Sequence, residues 1–110
     1  MAGKYKLMRS ANSQFYFNLV ADNNEVVLTS ETYWAKQGAL NGIESVRINS
    51  PIDSRYQRKV SSRGKFIFNL TAANNEVIGK SEEYNTVEAR EHGISVVKRI
   101  GPSATVDDLT

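Results

Sequence analysis

The chain has 110 residues, of which 40% are hydrophobic and 24% charged, a composition typical of one globular domain. Cysteine is absent, which excludes disulfides, thiolate metal sites and cysteine nucleophiles. The single histidine excludes a site that needs two imidazoles from one chain, and a formal net charge of +2 is too small to indicate nucleic-acid binding by itself.

The N-terminal segment contains Lys4 and Lys6 but lacks the apolar stretch of a signal peptide. No run approaches the roughly 18 apolar residues that a membrane span needs. These two features predict a soluble, cytoplasmic protein.

An internal repeat is the clearest feature of the sequence. Shifting the chain by 51 positions brings Tyr5 onto Tyr56 without a gap. The other matching segments are residues 15–19 with 66–70, 23–26 with 74–77, 30–33 with 81–84, and 42–43 with 93–94. Such a fixed-period match indicates a duplicated unit. We assign repeat one to residues 2–50 and repeat two to residues 53–102.

In chain order, each repeat begins with three predicted strands. The first is a short polar segment at residues 5–8 or 56–60. The second, at 15–20 or 66–70, alternates apolar and polar side chains, so that Phe15, Phe17 and Leu19 share one face. The third, at 25–28 or 76–78, follows an Asn-Asn pair that is typical of a type I′ hairpin turn.

A helix is predicted next, at residues 34–41 in repeat one and 86–92 in repeat two. Asn85 and Glu88 have the spacing of a capping box at the second helix. Gly42 and Gly93 stand where glycine often ends a helix.

After each glycine, a segment rich in β-branched residues predicts a fourth strand, at 43–48 and 94–100. The alternative is that the helix continues to Arg47, because Ala39, Ile43 and Val46 also have helical spacing. The break at glycine is the preferred interpretation, and the alternative stays open.

The predicted fold class is α+β, with two tandem β3-α-β repeats forming one largely antiparallel sheet and two helices on one face. A single domain over residues 1–110 is expected because a unit of about 50 residues buries too little apolar surface alone. The repeats would then act as an internal pseudo-dimer within a monomer. Residues 103–110 are predicted to be a flexible tail.

The repeated motifs resemble the YegP-like family of small bacterial proteins. The resemblance rests on Phe-x-Phe-Asn-Leu, Asn-Asn-Glu-Val, Ser-Glu-x-Tyr and Gly-Ile-x-Ser-Val, and on the linker at residues 50–56. It covers residues 2 to about 102. It implies β3-α-β units that share one antiparallel sheet and exchange their last strands, and it implies no particular activity. The repeats depart from each other at Leu28 and Gly79, and at Trp34 and Asn85.

Both repeats carry a polar segment at the joint between the third strand and the helix, formed by Ser30, Glu31 and Tyr33 and by Ser81, Glu82 and Tyr84. This duplicated joint is a candidate enzyme site. The structural interpretation, which we favour, is that Ser and Glu bind the free amides of the helix while Tyr packs beneath it.

A candidate binding surface lies on the strand face opposite the phenylalanines and on a basic segment that follows the linker. Its members on the strands are Tyr16, Asn18, Asn69 and Thr71. Its basic members are Arg55, Arg58, Lys59, Arg63 and Lys65. An open sheet with these side chains could bind a protein or single-stranded nucleic acid, although charged residues also protect exposed edge strands.

No catalytic, cofactor or metal motif is present in the sequence. His92 is placed near a helix C-terminus without a partner group, and Trp34 is expected to anchor the core or its boundary. The sequence therefore predicts a small binding or accessory protein, with weak nucleic-acid binding or an enzyme at the duplicated joint as alternatives. No cofactor and no membrane partner are expected.

Overall fold

The computed structural model describes residues 3–110 of the chain. The strands are β1 (Lys4–Arg9), β2 (Phe15–Val20), β3 (Val26–Ser30), β4 (Tyr56–Val60), β5 (Phe66–Thr71), β6 (Val77–Lys80) and β7 (Thr105–Asp108). The helices are α1 (Lys36–Asn49) and α2 (Val87–Ile100), and a 3₁₀ turn (Asp53–Arg55) precedes β4.

All these strands form one sheet in the order β4-β5-β6-β3-β2-β1-β7. Every pairing is antiparallel except that of β1 with β7. The repeats meet where Thr29 of β3 pairs with Lys80 of β6. Because these two residues also correspond in the sequence repeat, a pseudo-two-fold axis passes between β3 and β6. The predicted fold class, α+β with two tandem repeats in one largely antiparallel sheet, is confirmed.

Both helices pack on the same face of the sheet. Helix α1 lies against β2, β5 and β6, whereas α2 lies against β3 and β5, so each helix also covers strands of the other repeat. The side chains between the layers include Phe17, Leu19, Phe68 and Leu70, all of them fully buried. The two repeats therefore share one hydrophobic core, which explains why one repeat of about 50 residues need not be stable alone.

Buried tyrosines tie the outer strands of the sheet to the ends of the helices. The Tyr5 hydroxyl donates to the Gly101 carbonyl at 2.5 Å, and the Tyr56 hydroxyl donates to the Ser50 carbonyl at 2.7 Å. Burial raises the pKa of both phenols. Tyr5 belongs to repeat one while Gly101 follows the helix of repeat two, so this bond connects the beginning and the end of the fold.

The helices continue through both glycines, so the predicted strands over residues 43–48 and 94–100 are wrong and the alternative of a continuous helix is correct. Ile43 and Val46 of α1, and Ile94 and Val97 of α2, are buried at helical spacing. Burial of this stripe against the sheet outweighs the β propensity of the branched residues.

The Asn-Asn pairs form the hairpin tips, but the turn is not the predicted type I′. Only the second asparagine of each pair has a positive φ, 67° at Asn24 and 70° at Asn75. The Asn24 N–H donates to the Ala21 carbonyl, and the Ala21 N–H donates to the Glu25 carbonyl. A type I turn followed by one left-handed residue gives this pattern in a three-residue loop.

The start of α2 is capped by Thr86, so the predicted capping box of Asn85 and Glu88 is wrong. The Thr86 hydroxyl oxygen accepts a hydrogen bond from the Ala89 N–H at 3.0 Å. Asn85 instead accepts a hydrogen bond from Lys65 Nζ at 2.6 Å.

The prediction of a flexible tail is wrong at residues 105–108, which form β7 and pair in parallel with residues 4–7 of β1. Ala104 is buried in the core before the strand, and the Leu109 N–H donates to the Leu7 carbonyl at 2.9 Å after it. Lys36 Nζ also lies 2.5 Å from the Asp108 carboxylate. A strand thus follows each helix, as the β3-α-β pattern requires, but it lies further along the chain than predicted.

Candidate binding surfaces

The sheet face opposite the helices carries a row of polar side chains that crosses every strand. Residues directly opposite each other in neighbouring strands point to the same face. Strand pairing therefore places the following side chains side by side: Asp107, Lys6, Asn18, Thr29, Lys80, Asn69 and Gln57. We name these residues the polar row.

The pseudo-two-fold axis runs through the polar row and relates Asn18 to Asn69. Asn69 Nδ2 donates to Gln57 Oε1 at 3.4 Å. Asn18 Oδ1 is buried and has no hydrogen-bond partner among residues 3–110. The row contains both donors and acceptors, and Asp107 at its end is its single acidic residue.

The structure places three of the four predicted strand residues on this face. Asn18 and Asn69 belong to the polar row, and Tyr16 lies on the same face of β2, half-buried. Thr71 is buried, and its hydroxyl donates to the Arg55 carbonyl at 2.9 Å. Thr71 is therefore part of the packing between β4 and β5 and is not available to a partner.

The basic residues between positions 55 and 65 do not form one surface. Four of the five side chains face an acidic or amide group of the protein, in the pairs Arg55–Asn49, Arg58–Glu91, Arg63–Glu83 and Lys65–Asn85. Lys59 is the one member with no such side-chain partner among residues 3–110. Most of the positive charge is thus neutralised within the protein, which weakens the interpretation as a phosphate-binding stripe.

Arg58 has the most extensive of these contacts. Its guanidinium lies 2.9 Å from the Glu91 carboxylate and 3.1 Å from the Asp53 carboxylate. The hydrogen bond to Glu91 raises the pKa of Arg58, and the same bond lowers the pKa of Glu91. The side chain is thereby directed toward α2.

The duplicated Ser-Glu-x-Tyr segments hold the joints between strand and helix in place. The Ser30 hydroxyl accepts from the Phe17 N–H at 2.9 Å and donates to the Glu31 carbonyl at 2.7 Å. Ser81 repeats both bonds in repeat two. The serines therefore bond to the preceding hairpin, not to the helix amides as expected, and a hydroxyl engaged in both directions is poorly suited to act as a nucleophile.

The tyrosines of these segments pack beneath the helices, as the structural interpretation expects. A Cβ atom added at Gly42 would lie 2.5 Å from the Tyr33 hydroxyl, and one at Gly93 would meet the Tyr84 hydroxyl in the same way. Burial raises the pKa of both phenols, with Glu31 contributing at Tyr33 and Glu25 at Tyr84. The mid-helix glycines are thus explained by the close approach of these hydroxyls.

His92 lies in the middle of α2 and is exposed, so its predicted position near a helix C-terminus is wrong. It borders a surface groove of about 260 Å³ between α2 and the tip of the β2–β3 hairpin. Asp22 and Arg99 also border this groove, and both are exposed. The corresponding positions of the other repeat hold uncharged residues, namely Asn41 for His92, Ala73 for Asp22 and Ile48 for Arg99.

Trp34 is 82% exposed, so the prediction that it anchors the core or its boundary is wrong. It follows Tyr33, which pairs with Phe15 in an isolated β-bridge, and it precedes α1. A large exposed aromatic residue is unusual in a folded surface and common at binding hot spots. The sequence contains one hint of this exposure, because the corresponding residue of repeat two is the polar Asn85.

Two findings limit the kinds of site that residues 3–110 can form. They contain no group of three or more His, Asp and Glu side chains placed to hold a metal ion. No helix in the same range is long and apolar enough to cross a membrane.

These features define a duplicated α+β protein whose single sheet is covered by helices on one face and bears polar side chains on the other. The chain belongs to the family described as domain of unknown function DUF1508, whose model matches residues 10–57 and 61–108. The two matches correspond to the two tandem repeats.

The resemblance to YegP is confirmed by full-length relatives. The UPF0339 protein YegP of Escherichia coli O157:H7 is 53% identical over 110 residues, and the alignment covers all of both chains. A UPF0339 protein of Shewanella oneidensis is 51% identical with the same coverage. The solution NMR structure of Escherichia coli YegP, described as a protein of unknown function, has a TM-score of 0.94 at 52% identity and covers 100% of this chain and 95% of that chain. None of these descriptions indicates a catalytic function.

Proposed function

We propose that the protein is a cytoplasmic, monomeric binding protein of one domain, without catalytic chemistry of its own, and that its open sheet face receives a protein partner. The observation that carries this proposal is the polar row, which crosses all seven strands on the face that neither helix covers. The row offers amide, hydroxyl and ammonium groups along a continuous surface.

The chemistry of the row favours a protein partner over single-stranded nucleic acid. Sheets that bind RNA stack bases on several aromatic side chains. Among residues 3–110, Tyr16 is the one aromatic side chain on strands that shares this face with the row. Asn18 and Asn69 can each donate to and accept from polar groups of a protein. The neutralised basic segment removes most of the positive charge that phosphate contacts need.

The proposal is tested by affinity capture from a lysate of the source cell with three baits: the natural protein, an open-face variant and a control variant. The open-face variant carries Asn18→Ala and Asn69→Ala. The matched control carries Gln37→Ala and Asn41→Ala, which remove two amides that hydrogen-bond to each other on the exposed surface of α1. Each capture is run with and without nuclease, after circular dichroism has shown that all baits are folded.

We expect a protein that is recovered by the natural bait and the control, lost with the open-face variant and unaffected by nuclease. Recovery of nucleic acid that nuclease removes would replace the protein partner with a nucleic acid. Equal recovery by all three baits would place the partner on another surface and contradict the proposal.

A further inference from the structure

The two edges of the sheet differ in whether they are covered. At one edge β7 pairs with the outer side of β1, and at the other edge β4 pairs with β5 alone among the described strands. An uncovered edge strand exposes backbone N–H and C=O groups that can pair with a further strand. The outer side of β4 is therefore the one open edge of this sheet within residues 3–110.

The sequence repeat makes β1 the counterpart of β4. Tyr5 pairs with Leu19 in repeat one, and Tyr56 pairs with Leu70 at the same register in repeat two. The surface that β7 occupies on β1 is thus present a second time on β4, where the described chain leaves it uncovered. Covered β1 serves as an internal template for the open edge.

The template identifies the backbone groups that are available on β4. The Leu109 N–H donates to the Leu7 carbonyl, so Leu7 directs its backbone groups toward β7. Arg58 is the counterpart of Leu7, and alternation along the strand directs its N–H and C=O outward in the same way. Its side chain does not block this edge, because Glu91 and Asp53 hold the guanidinium toward α2.

Charge indicates what kind of strand fits there. In the template, Asp107 of β7 pairs opposite Lys6, and Asp108 forms an ion pair with Lys36. The lysines on β1 therefore do not prevent pairing when the incoming strand is acidic. The segment around β4 is also basic, with Lys59 uncommitted and Arg55 at its start. An acidic strand is complementary to this edge, and a basic strand is not.

We propose that the β4 edge binds an extended acidic segment of a partner protein, which pairs in parallel with β4 and extends the sheet by one strand. The segment has the character of residues 105–108, with β-branched and acidic residues in succession. Backbone hydrogen bonds to Arg58 and to the Tyr56 carbonyl hold it, and side-chain charge selects it. This edge is a different surface from the polar row, so the inference holds whether or not the open face binds a partner.

The probe for this proposal is a synthetic peptide with the sequence of residues 103–110, Ser-Ala-Thr-Val-Asp-Asp-Leu-Thr. It is titrated into the full-length, ¹⁵N-labelled protein and followed by NMR and amide hydrogen exchange. We expect the largest shifts in β4, with slowed exchange of the Arg58 amide.

Two matched peptides test the geometry from the ligand side, so no protein variant needs to fold. By the template, the amides at the positions of Asp107 and Leu109 face the edge, whereas those of Val106 and Asp108 face away. N-methylation at the first pair is expected to weaken binding about tenfold or more, and N-methylation at the second pair is expected to weaken it far less. A peptide with lysine at both aspartate positions is expected to lose binding as well.

Several outcomes would overturn the proposal. They are the absence of shifts at about 1 mM peptide, shifts centred on β1 or the polar row, and equal affinity of the two N-methylated peptides. A free protein that diffuses as a dimer with its Arg58 amide already protected would show that a second copy of the chain covers the edge.

Discussion

At the residue scale, Tyr33 and Tyr84 explain why glycine occurs in the middle of each helix. Their hydroxyls occupy the space that a Cβ atom would need at Gly42 and Gly93. Pattern alone misassigns these glycines as helix ends, because the tyrosines are nine positions away in sequence and their contact appears only in three dimensions.

We expect Gly93→Ala to lower the free energy of unfolding by about 1–3 kcal/mol, because the added methyl group overlaps the Tyr84 hydroxyl. Chemical denaturation followed by circular dichroism measures the change. Gly38→Ala is the control, since its Cβ atom would lie 3.2 Å from the nearest Tyr33 atom, and a near-neutral effect is expected. Adding Tyr84→Phe to Gly93→Ala should restore part of the loss; no restoration would show that another contact is responsible.

Trp34 is a residue whose exposure the fold does not require. We expect Trp34→Asn, which introduces the amino acid found at this position in repeat two, to change the free energy of unfolding by less than about 0.5 kcal/mol. Thermal unfolding measures this. Because the chain has one tryptophan, the fluorescence of the natural protein should also be that of an indole in water and should be quenched readily by iodide. A large loss of stability or a shielded indole would show that Trp34 packs against the protein.

At the element scale, the three strands of each repeat could be predicted from alternation, and the structure finds them within a few residues. The helices could not be bounded, because residues 43–48 and 94–100 satisfy both a strand and a helix pattern until their burial is known. Strand β7 was missed for a related reason. Its polar sequence becomes a strand because β1 offers it an edge and Lys36 offers Asp108 an ion pair.

The docking of β7 is expected to weaken in acid. A hydrogen bond from Lys36, followed by bonds from Thr110, lowers the pKa of Asp108 to about 2. Since this pKa is lower in the docked strand than in a free chain, the stabilisation is present above about pH 4 and is lost as pH falls toward 2. The effect is modest because the carboxylate is exposed.

Hydrogen exchange at the Leu109 amide, after correction for the intrinsic pH dependence of exchange, measures this opening. Asp108→Asn is the control, because it removes the titrating group and should give protection that hardly depends on pH in this range. Equal acid sensitivity in both proteins would assign the opening to another group.

At the scale of the whole molecule, the pseudo-symmetry is broken near its own axis. Leu28 and Gly79 are counterparts in the repeat, yet a Cβ atom at Gly79 would lie 2.6 Å from Leu28 Cγ. Leu28 is fully buried and occupies the space on both sides of the seam between β3 and β6. Glycine in repeat two is thus the complement of leucine in repeat one.

We expect Gly79→Ala to destabilise the protein by about 1–3 kcal/mol through this overlap. Leu28→Ala should cost about 2–5 kcal/mol through the cavity that it leaves. The double variant should lose less than the sum of the single losses, by about 0.5–3 kcal/mol, because each change relieves the other. Denaturation of the four proteins measures the coupling, and strict additivity would contradict the packing described here.

The arrangement of the candidate sites was the least predictable level. The polar alternation of β2 and β5 indicates an open face, and Asn18 and Asn69 lie there. The basic segment reads as one stripe in sequence, but Arg58 finds Glu91 only because α2 returns over β4. Ion pairs between residues so far apart in the chain cannot be inferred from composition, so the charge of a segment overstates the charge of its surface.

The covered edge at β7 also sets the number of contacts that this sheet can make with others through its backbone. In the terms of polymer chemistry, a sheet with two open edges is a bifunctional monomer and can form a chain without limit. With β7 in place the described sheet is monofunctional, because only β4 remains reactive. Association through its edge must therefore stop after one step, at a pair.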